Sequence, residues 1–302
     1  MEGSRPTRGR ERAARARAEE VVEERRGDRS DLGPRILVAI PAIIFAVFIV
    51  VQGGLVFAAG LFVLGVIALR ELYTLMGRVQ PAVLAGFLTL AGLLIAALYG
   101  EPRHLVMVLV AAFPVTFFLA LLRPRRENVS WAIAVTLFGV FWIGLAMAHA
   151  VWLRELVQPG SGGEEVVIGR GLVISTLIGT FLGDTFAYFG GRFYGRTPLA
   201  PMISPNKTLE GLVIGIIGGT AAFWFAGLYQ DWLSGPDALL IGAMVAIAAP
   251  VGDLFESLIK RDLEVKDTGS LFGPHGGVLD RLDAAMFSIP VAYYAAIGLG
   301  YG

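Results

Sequence analysis

The sequence predicts an all-α polytopic integral membrane protein of about nine transmembrane helices, on three observations. Apolar runs long enough to cross the ~30 Å hydrocarbon layer recur from residue 35 onward. Hydrophobic residues make up 55 % of the chain and charged ones only 17 %, a balance that an ordinary soluble core does not require. All but three of the 25 Lys and Arg fall in alternate breaks between the runs, the asymmetry expected when one membrane face is cytoplasmic.

The elements follow in order. Residues 1–33 interleave arginines with acids and hold almost nothing that could form a core, so they read as a charged, disordered or transiently helical cytoplasmic tail. They lack the short apolar segment and small-residue cleavage site of a signal peptide, so the first apolar run should stay as an anchor. The predicted spans are 35–52, 54–70, 81–99, 105–122, 130–153, 171–191, 211–229, 238–258 and 284–301. They divide into an N-terminal transmembrane part (34–170, about five helices) and a C-terminal part (171–302, about four). With the tail cytoplasmic, only Arg103, Arg154 and Arg170 lie outside. Net charge is zero, which excludes a polyanionic partner bound by bulk attraction, nucleic acid included. The absence of cysteine excludes disulfides, thiolate metal sites and a cysteine nucleophile.

A charge inside an apolar run is costly unless it faces a partner or a wet cavity. Three acids qualify: Asp184 in "IGTFLGDTFAYFGG", and Asp253 and Glu256 in "IAAPVGDLFESLIK". Helical spacing puts Asp253, Ser257 and Lys260 on one face, and Pro250 and Gly252 suggest a local break there. For His149 a helix-packing hydrogen bond outweighs a ligand role, and for Gly211, Gly215 and Gly219 close helix contact outweighs ligand binding.

Residues 257–283, "SLIKRDLEVKDTGSLFGPHGGVLDRLD", concentrate charge near the end of this apolar chain. The positive-inside bias accounts for the cations but not for the spaced carboxylates or for "HGG". Asp280 and Asp283, with Asp253 one segment earlier, are hard oxygen donors suited to Mg²⁺. Lys260, Arg261, Lys266 and Arg281 suit phosphate oxygens, and the glycines let backbone amides approach an anion. Together they describe phosphoryl or nucleotidyl transfer. A second block, "SPNKTLEG" (Ser204 to Gly211), offers a lysine, hydroxyls and a glutamate at the mouth of the next helix, with Thr208 as its N-cap.

Position for position, Ser257 to Asp283 resembles the signature of the phosphatidate cytidylyltransferases (CDP-diacylglycerol synthases): S-x-hydrophobic-K-R, four residues, K-D, then H-G-G-x-x-D-R-x-D. "GDTFAYFGGRFYGR" and "SPNKTLEG" resemble that family's other two blocks, in order. One departure is Gly273-Pro274 before His275, where the family more often has Pro-Gly. The resemblance implies a polar, cytoplasm-facing active-site cavity formed by the C-terminal helices, where CTP and bilayer phosphatidate become CDP-diacylglycerol and pyrophosphate with Mg²⁺. Whether a second cation takes part is left open. It further implies that Asp253 and Asp280 bind metal, that Asp283 and Asp267 support that centre, and that Lys260, Lys266 and Arg281 hold phosphates. Ser204, Lys207, Thr208 and Glu210 then serve the nucleotide end. His275 is expected to orient groups or bond phosphate rather than to act as a base, since the attacking phosphate is already an anion. The expected setting is the bacterial inner (plasma) membrane, surrounded by lipid, with homodimerisation left open. Two rivals are a CTP-dependent polyprenol kinase and a transporter with intramembrane acids, the latter weakened by the lack of repeated halves.

Overall fold

The computed structural model describes residues 32–122, 127–159, 164–269 and 276–302. Residues 1–31 of the charged tail and His275 lie outside them. The described chain is helical almost throughout: α1 (Leu32–Gln52), α2 (Gly54–Leu75), α3 (Val83–Tyr99), α4 (Pro102–Leu121), α5 (Val129–Arg154), α6 (Gly169–Tyr194), α7 (Leu209–Gly227), α8 (Gly235–Asp262), the single turn α9 (Leu279–Leu282) and α10 (Ala285–Gly298). Two small antiparallel hairpins interrupt the series, β1 (Val157–Pro159) with β2 (Glu165–Val167) and β3 (Pro198–Ala200) with β4 (Ser204–Thr208).

Helices α2, α4, α5, α6, α7 and α8 are long and apolar enough to cross a membrane, while α3 and the Ile40–Gln52 part of α1 are shorter apolar helices. Large apolar side chains point outward along them, such as Val110, Phe118 and Ile217, each about 60 % exposed or more. In water that surface would be prohibitive, and in hydrocarbon it costs nothing. The chain is therefore an all-α polytopic integral membrane protein. Residues to Val47 form one unit and Phe48–Gly302 a second, which holds all the features described below.

The charge-based ends of two predicted spans are too early. Helix α2 continues past Arg70 to Leu75, and α8 continues past Leu258 to Asp262. Arg, Glu and Lys are good helix formers, so charge ends an apolar run without ending its hydrogen-bond ladder. Nor is α8 broken at Pro250: the helix runs through it, and the backbone of Asp283 and Ala284 packs directly on Gly252, where a β-carbon could not fit. Within a bundle, neighbouring segments compensate for the hydrogen bond that proline removes.

The turn joining α1 to α2 is held from α5. Gly53 and Gly54 both have positive φ (66° and 51°), which favours glycine. The buried Arg154 donates from Nε to the Val50 carbonyl (2.6 Å) and from a terminal nitrogen to that of Val51 (3.1 Å), and Glu155 accepts the Gly54 N–H at 2.8 Å. A cation thus meets the carbonyl end of α1 and an anion the amide end of α2. His149 makes the expected packing bond, its Nε2 lying 3.1 Å from the Tyr294 hydroxyl. Helices α6 and α7 form the closest pair, because Gly211, Gly215 and Gly219 lie directly on the backbone of Gly179, Gly183, Ala187 and Gly191. That contact, together with β3–β4, fixes "SPNKTLEG" beside the end of α6.

Candidate active site

The C-terminal part of α8 supplies the first side chains. The Ser257 hydroxyl donates to Asp253 Oδ1 (3.4 Å) and Lys260 Nζ to Glu256 Oε2 (3.2 Å), as spacing of four along a helix allows. Lys260 also reaches α9, donating to Asp280 Oδ1 at 2.9 Å. Lys207, on β4, pairs with Asp253 Oδ2 at 2.5 Å. Two lysine–aspartate pairs therefore tie α8 to the "SPNKTLEG" hairpin on one side and to the "HGGVLDRLD" segment on the other. From α6, Asp184 lies close enough to Asp253, Asp283 and Lys207 to interact with them through charge.

The turn before α9 is built around Asp280. Its Oδ2 accepts the backbone N–H and hydroxyl of Thr268 (2.9 and 2.8 Å) and the Gly277 N–H (2.7 Å). Burial alone would raise this carboxyl, but those donors and Lys260 outweigh it and hold the group below the ordinary aspartate range. The balance falls the other way on Asp283: burial raises that carboxyl, reinforced by the charge of Asp253, and hydrogen bonds from Glu256 and the Ala284 N–H only partly offset it. Gly276 has φ of +80°, and a β-carbon on it would sit 2.5 Å from Asp280 Oδ2. Both glycines of "HGG" are thus required, Gly276 by its backbone angle and Gly277 because the carboxylate of Glu71, from α2, fills the space a side chain would need.

The nucleotide-end block has a mixed character. Thr208 is the N-cap of α7, its Oγ1 accepting the Gly211 N–H at 3.2 Å. Glu210 is engaged by the turn before β3. Its carboxylate accepts the backbone N–H groups of Arg196 (3.0 Å) and Thr197 (3.1 Å), and the Thr197 hydroxyl (2.9 Å). Ser204 starts β4 opposite Ala200, and Arg261 Nε donates to the neighbouring Ile203 carbonyl at 3.0 Å, docking the hairpin on α8.

Of the residues predicted from sequence, the fold gathers Asp253, Lys260, Asp280, Asp283 and Lys207, with Thr208 at the rim. Lys266, Asp267 and Arg281 lie exposed nearby, and His275 is outside the described residues. Thr268 and Glu71 bind the same segment and were not expected. Glu71 escaped attention because the second span was ended at Arg70, which put it in a loop where an acid needs no explanation.

The donor chemistry fits a hard divalent cation. Five carboxyls (Asp184, Asp253, Glu256, Asp280 and Asp283) crowd two ammonium groups, those of Lys207 and Lys260. Among the described residues no three acids or imidazoles are grouped as a ready-made metal cage. Asp253, about one-third exposed, has lone pairs to spare, whereas Asp280 has one oxygen filled by three donors.

Fold and site together define a polytopic helical membrane protein with a clustered acid–lysine site assembled from its C-terminal helices. A family model described as the cytidylyltransferase family matches residues 33–297, and the chain belongs to that family. It is 36 % identical over 206 residues to phosphatidate cytidylyltransferase 4, chloroplastic, of Arabidopsis thaliana (62 % of this chain, 51 % of that one). Identity with the phosphatidate cytidylyltransferase of Aquifex aeolicus is 41 % over 156 residues (52 % and 54 %). With that of Staphylococcus epidermidis it is 31 % over 267 residues (85 % and 96 %). The chain thus spans about half the length of the first two relatives and nearly all of the third.

Proposed function

We propose that the protein is a phosphatidate cytidylyltransferase, joining CTP and phosphatidate to give CDP-diacylglycerol and pyrophosphate. The observation that carries this reading is the pair of lysine–aspartate contacts, Lys207 with Asp253 and Lys260 with Asp280, converging from two segments on one helix. Each lysine neutralises an aspartate. When a nucleotide triphosphate enters, each ammonium has phosphate oxygens to turn to, and the aspartate it leaves is free to bind metal. Asp253 and Asp280 would hold Mg²⁺, with Asp283 supporting them. Bound there, the ion would neutralise charge on the transferring and leaving phosphates.

The lipid phosphate attacks the α-phosphorus of CTP, an oxygen–phosphorus bond forms, and the bond to pyrophosphate breaks. The nucleophile is already anionic, so no side chain need remove a proton. Lys207 and Lys260, with Lys266 and Arg281 at the exposed edge, stabilise the charge that builds on the transferred group and on pyrophosphate. Thr208 and Ser204 line the nucleotide end, and Glu210 acts there by holding the Arg196–Thr197 turn. The reading includes nine membrane-crossing helices, a cytoplasmic site, and phosphatidate delivered from the bilayer.

Purified protein supplied with CTP, phosphatidate and Mg²⁺ is expected to form CDP-diacylglycerol and pyrophosphate in equal amounts, and to stop when the metal is chelated. A parallel reaction with a polyprenol should yield no phosphorylated product. Failure to make CDP-diacylglycerol under conditions where a relative succeeds would end the reading.

A further inference from the structure

Glu71 lies almost two hundred residues before the charged C-terminal stretch, near the end of α2, and none of the chemistry above uses it. Its Oε1 accepts the Val278 N–H at 3.0 Å and its Oε2 the Leu279 N–H at 2.9 Å, with the Thr268 hydroxyl 3.5 Å from Oε2. Gly269 and Gly277 press against the same carboxylate: a β-carbon on Gly269 would sit 2.6 Å from Oε1, and one on Gly277 closer still to Oε2. Among the described residues it is the one carboxylate of the N-terminal helices hydrogen-bonded to this segment.

The bonds to Asp280 and to Glu71 follow one another along the backbone from Gly277 to Leu279. Asp280 takes Thr268 and Gly277, while Glu71 takes Val278 and Leu279, the residues on either side of the α9 start. Glu71 holds the two amides that directly follow the Gly277 amide held by Asp280, so the position of one carboxylate constrains the backbone that presents the other. An anion facing unpaired amides at the start of a helical turn is favourable in itself. Here it also decides where Asp280 meets Lys260.

We propose that Glu71 is a positioning residue: by clamping the Val278 and Leu279 amides against α2, it holds Asp280 in register with Lys260 and so sets the affinity of the site for the metal–nucleotide complex. The proposal rests on the reading of Asp280 as part of that site. It also assigns a task to the N-terminal helices, through the end of α2.

Glu71→Gln is nearly isosteric but turns one acceptor into a donor facing an N–H. Two measurements on the full-length protein test it. In the absence of substrate, amide hydrogen exchange in the peptide spanning Gly276–Asp283 should rise at least tenfold at Val278 and Leu279, a readout that needs no activity. In the assay, the KM for CTP at fixed Mg²⁺ should rise at least tenfold while the KM for phosphatidate stays within twofold. Unchanged exchange would overturn the proposal. So would faster exchange with an unaltered KM for CTP, which would reduce Glu71 to a structural cap, or an equal rise in both KM values.

A second pair of variants guards against misfolding. Gly277→Ala, whose methyl group would displace the Glu71 carboxylate, should reproduce the faster exchange and raised KM for CTP, and in the Glu71→Ala background it should add no further damage. Equal added damage in both backgrounds would refute the clamp. If the unmodified protein makes no CDP-diacylglycerol, the functional reading fails, while the exchange result still decides whether Glu71 holds the turn.

Discussion

The two lysines of the site sit in different surroundings, and their removal should separate stability from catalysis. Lys260 is about one-sixth exposed and lies between Glu256 and Asp280, whose side chains are almost wholly buried. Lys260→Met would leave both carboxyls facing each other with no cation, a break of a buried pair worth ~3–5 kcal/mol. Thermal unfolding in detergent should therefore shift sharply downward, with turnover lost. The Lys207–Asp253 side chains are about 30 % exposed although the Lys207 Nζ is buried, so Lys207→Met should cost less stability than Lys260→Met. If Lys207 stabilises phosphate charge, the same variant should still lower kcat by about 10²–10³-fold. A protein less destabilised than Lys260→Met but with much reduced turnover is the expected result, and a variant with full turnover would remove Lys207 from the site. The shared face of Asp253, Ser257 and Lys260 was legible in the sequence, because it follows from helical spacing. Which aspartate each lysine meets was not, because that depends on how β4 and α9 pack against α8. Glu71 was hidden for a related reason: its partners are backbone amides some two hundred residues away, and backbone amides carry no sequence signature.

At the scale of elements, hydropathy located the apolar runs, and the helices of the structure fall on them. It could not locate their ends, since α2 and α8 carry charged residues inside continuous helix. Nor did it foresee the π-helical turn Val140–Gly144 inside α5 or either hairpin, whose strands are too short for a period-2 pattern to register. The glycine stripe of α7 was legible as a packing surface, and the structure gives it a consequence for the site. Gly215 lies against Ala187 and the Gly183 carbonyl, so even a β-carbon there would approach them to 2.7 and 3.0 Å. Gly215→Val should force α6 and α7 apart at a cost of ~1–3 kcal/mol or more. Because α6 carries Asp184 and α7 is capped by Thr208, the separation should also lower turnover, read as a fall in kcat larger than that of a control at an open position. Gly77→Ala is such a control, with nothing within 4 Å of the added carbon. Equal stability of the two variants would show that the stripe does not hold the helices together.

For the whole molecule, the arrangement of charge makes a claim about sides. The β3–β4 hairpin carries Lys207 and borders the site, whereas β1–β2 joins α5 to α6 at the other end of α6, so one membrane crossing separates them. The orientation proposed from the bias of Lys and Arg would put the β3–β4 side in the cytoplasm, where a soluble nucleotide is available, and Arg154 and Arg170 on the opposite face. Arg154 is committed to the carbonyls of Val50 and Val51, which gives it a structural task whichever side it faces. The chain contains no cysteine, so single cysteines report position without background. Met202→Cys, at an 89 % exposed position in the β3–β4 turn, and Glu165→Cys, exposed on β2, place one probe at each end of α6. In intact cells a membrane-impermeant maleimide should label Glu165→Cys and leave Met202→Cys unmodified until the membrane is opened. Labelling in the reverse order would invert the protein and put the lysine–aspartate site on the face without nucleotide. Labelling of both in intact cells would mean that α6 does not cross the bilayer, and the site could not then be built at a membrane surface from α6, α7 and α8.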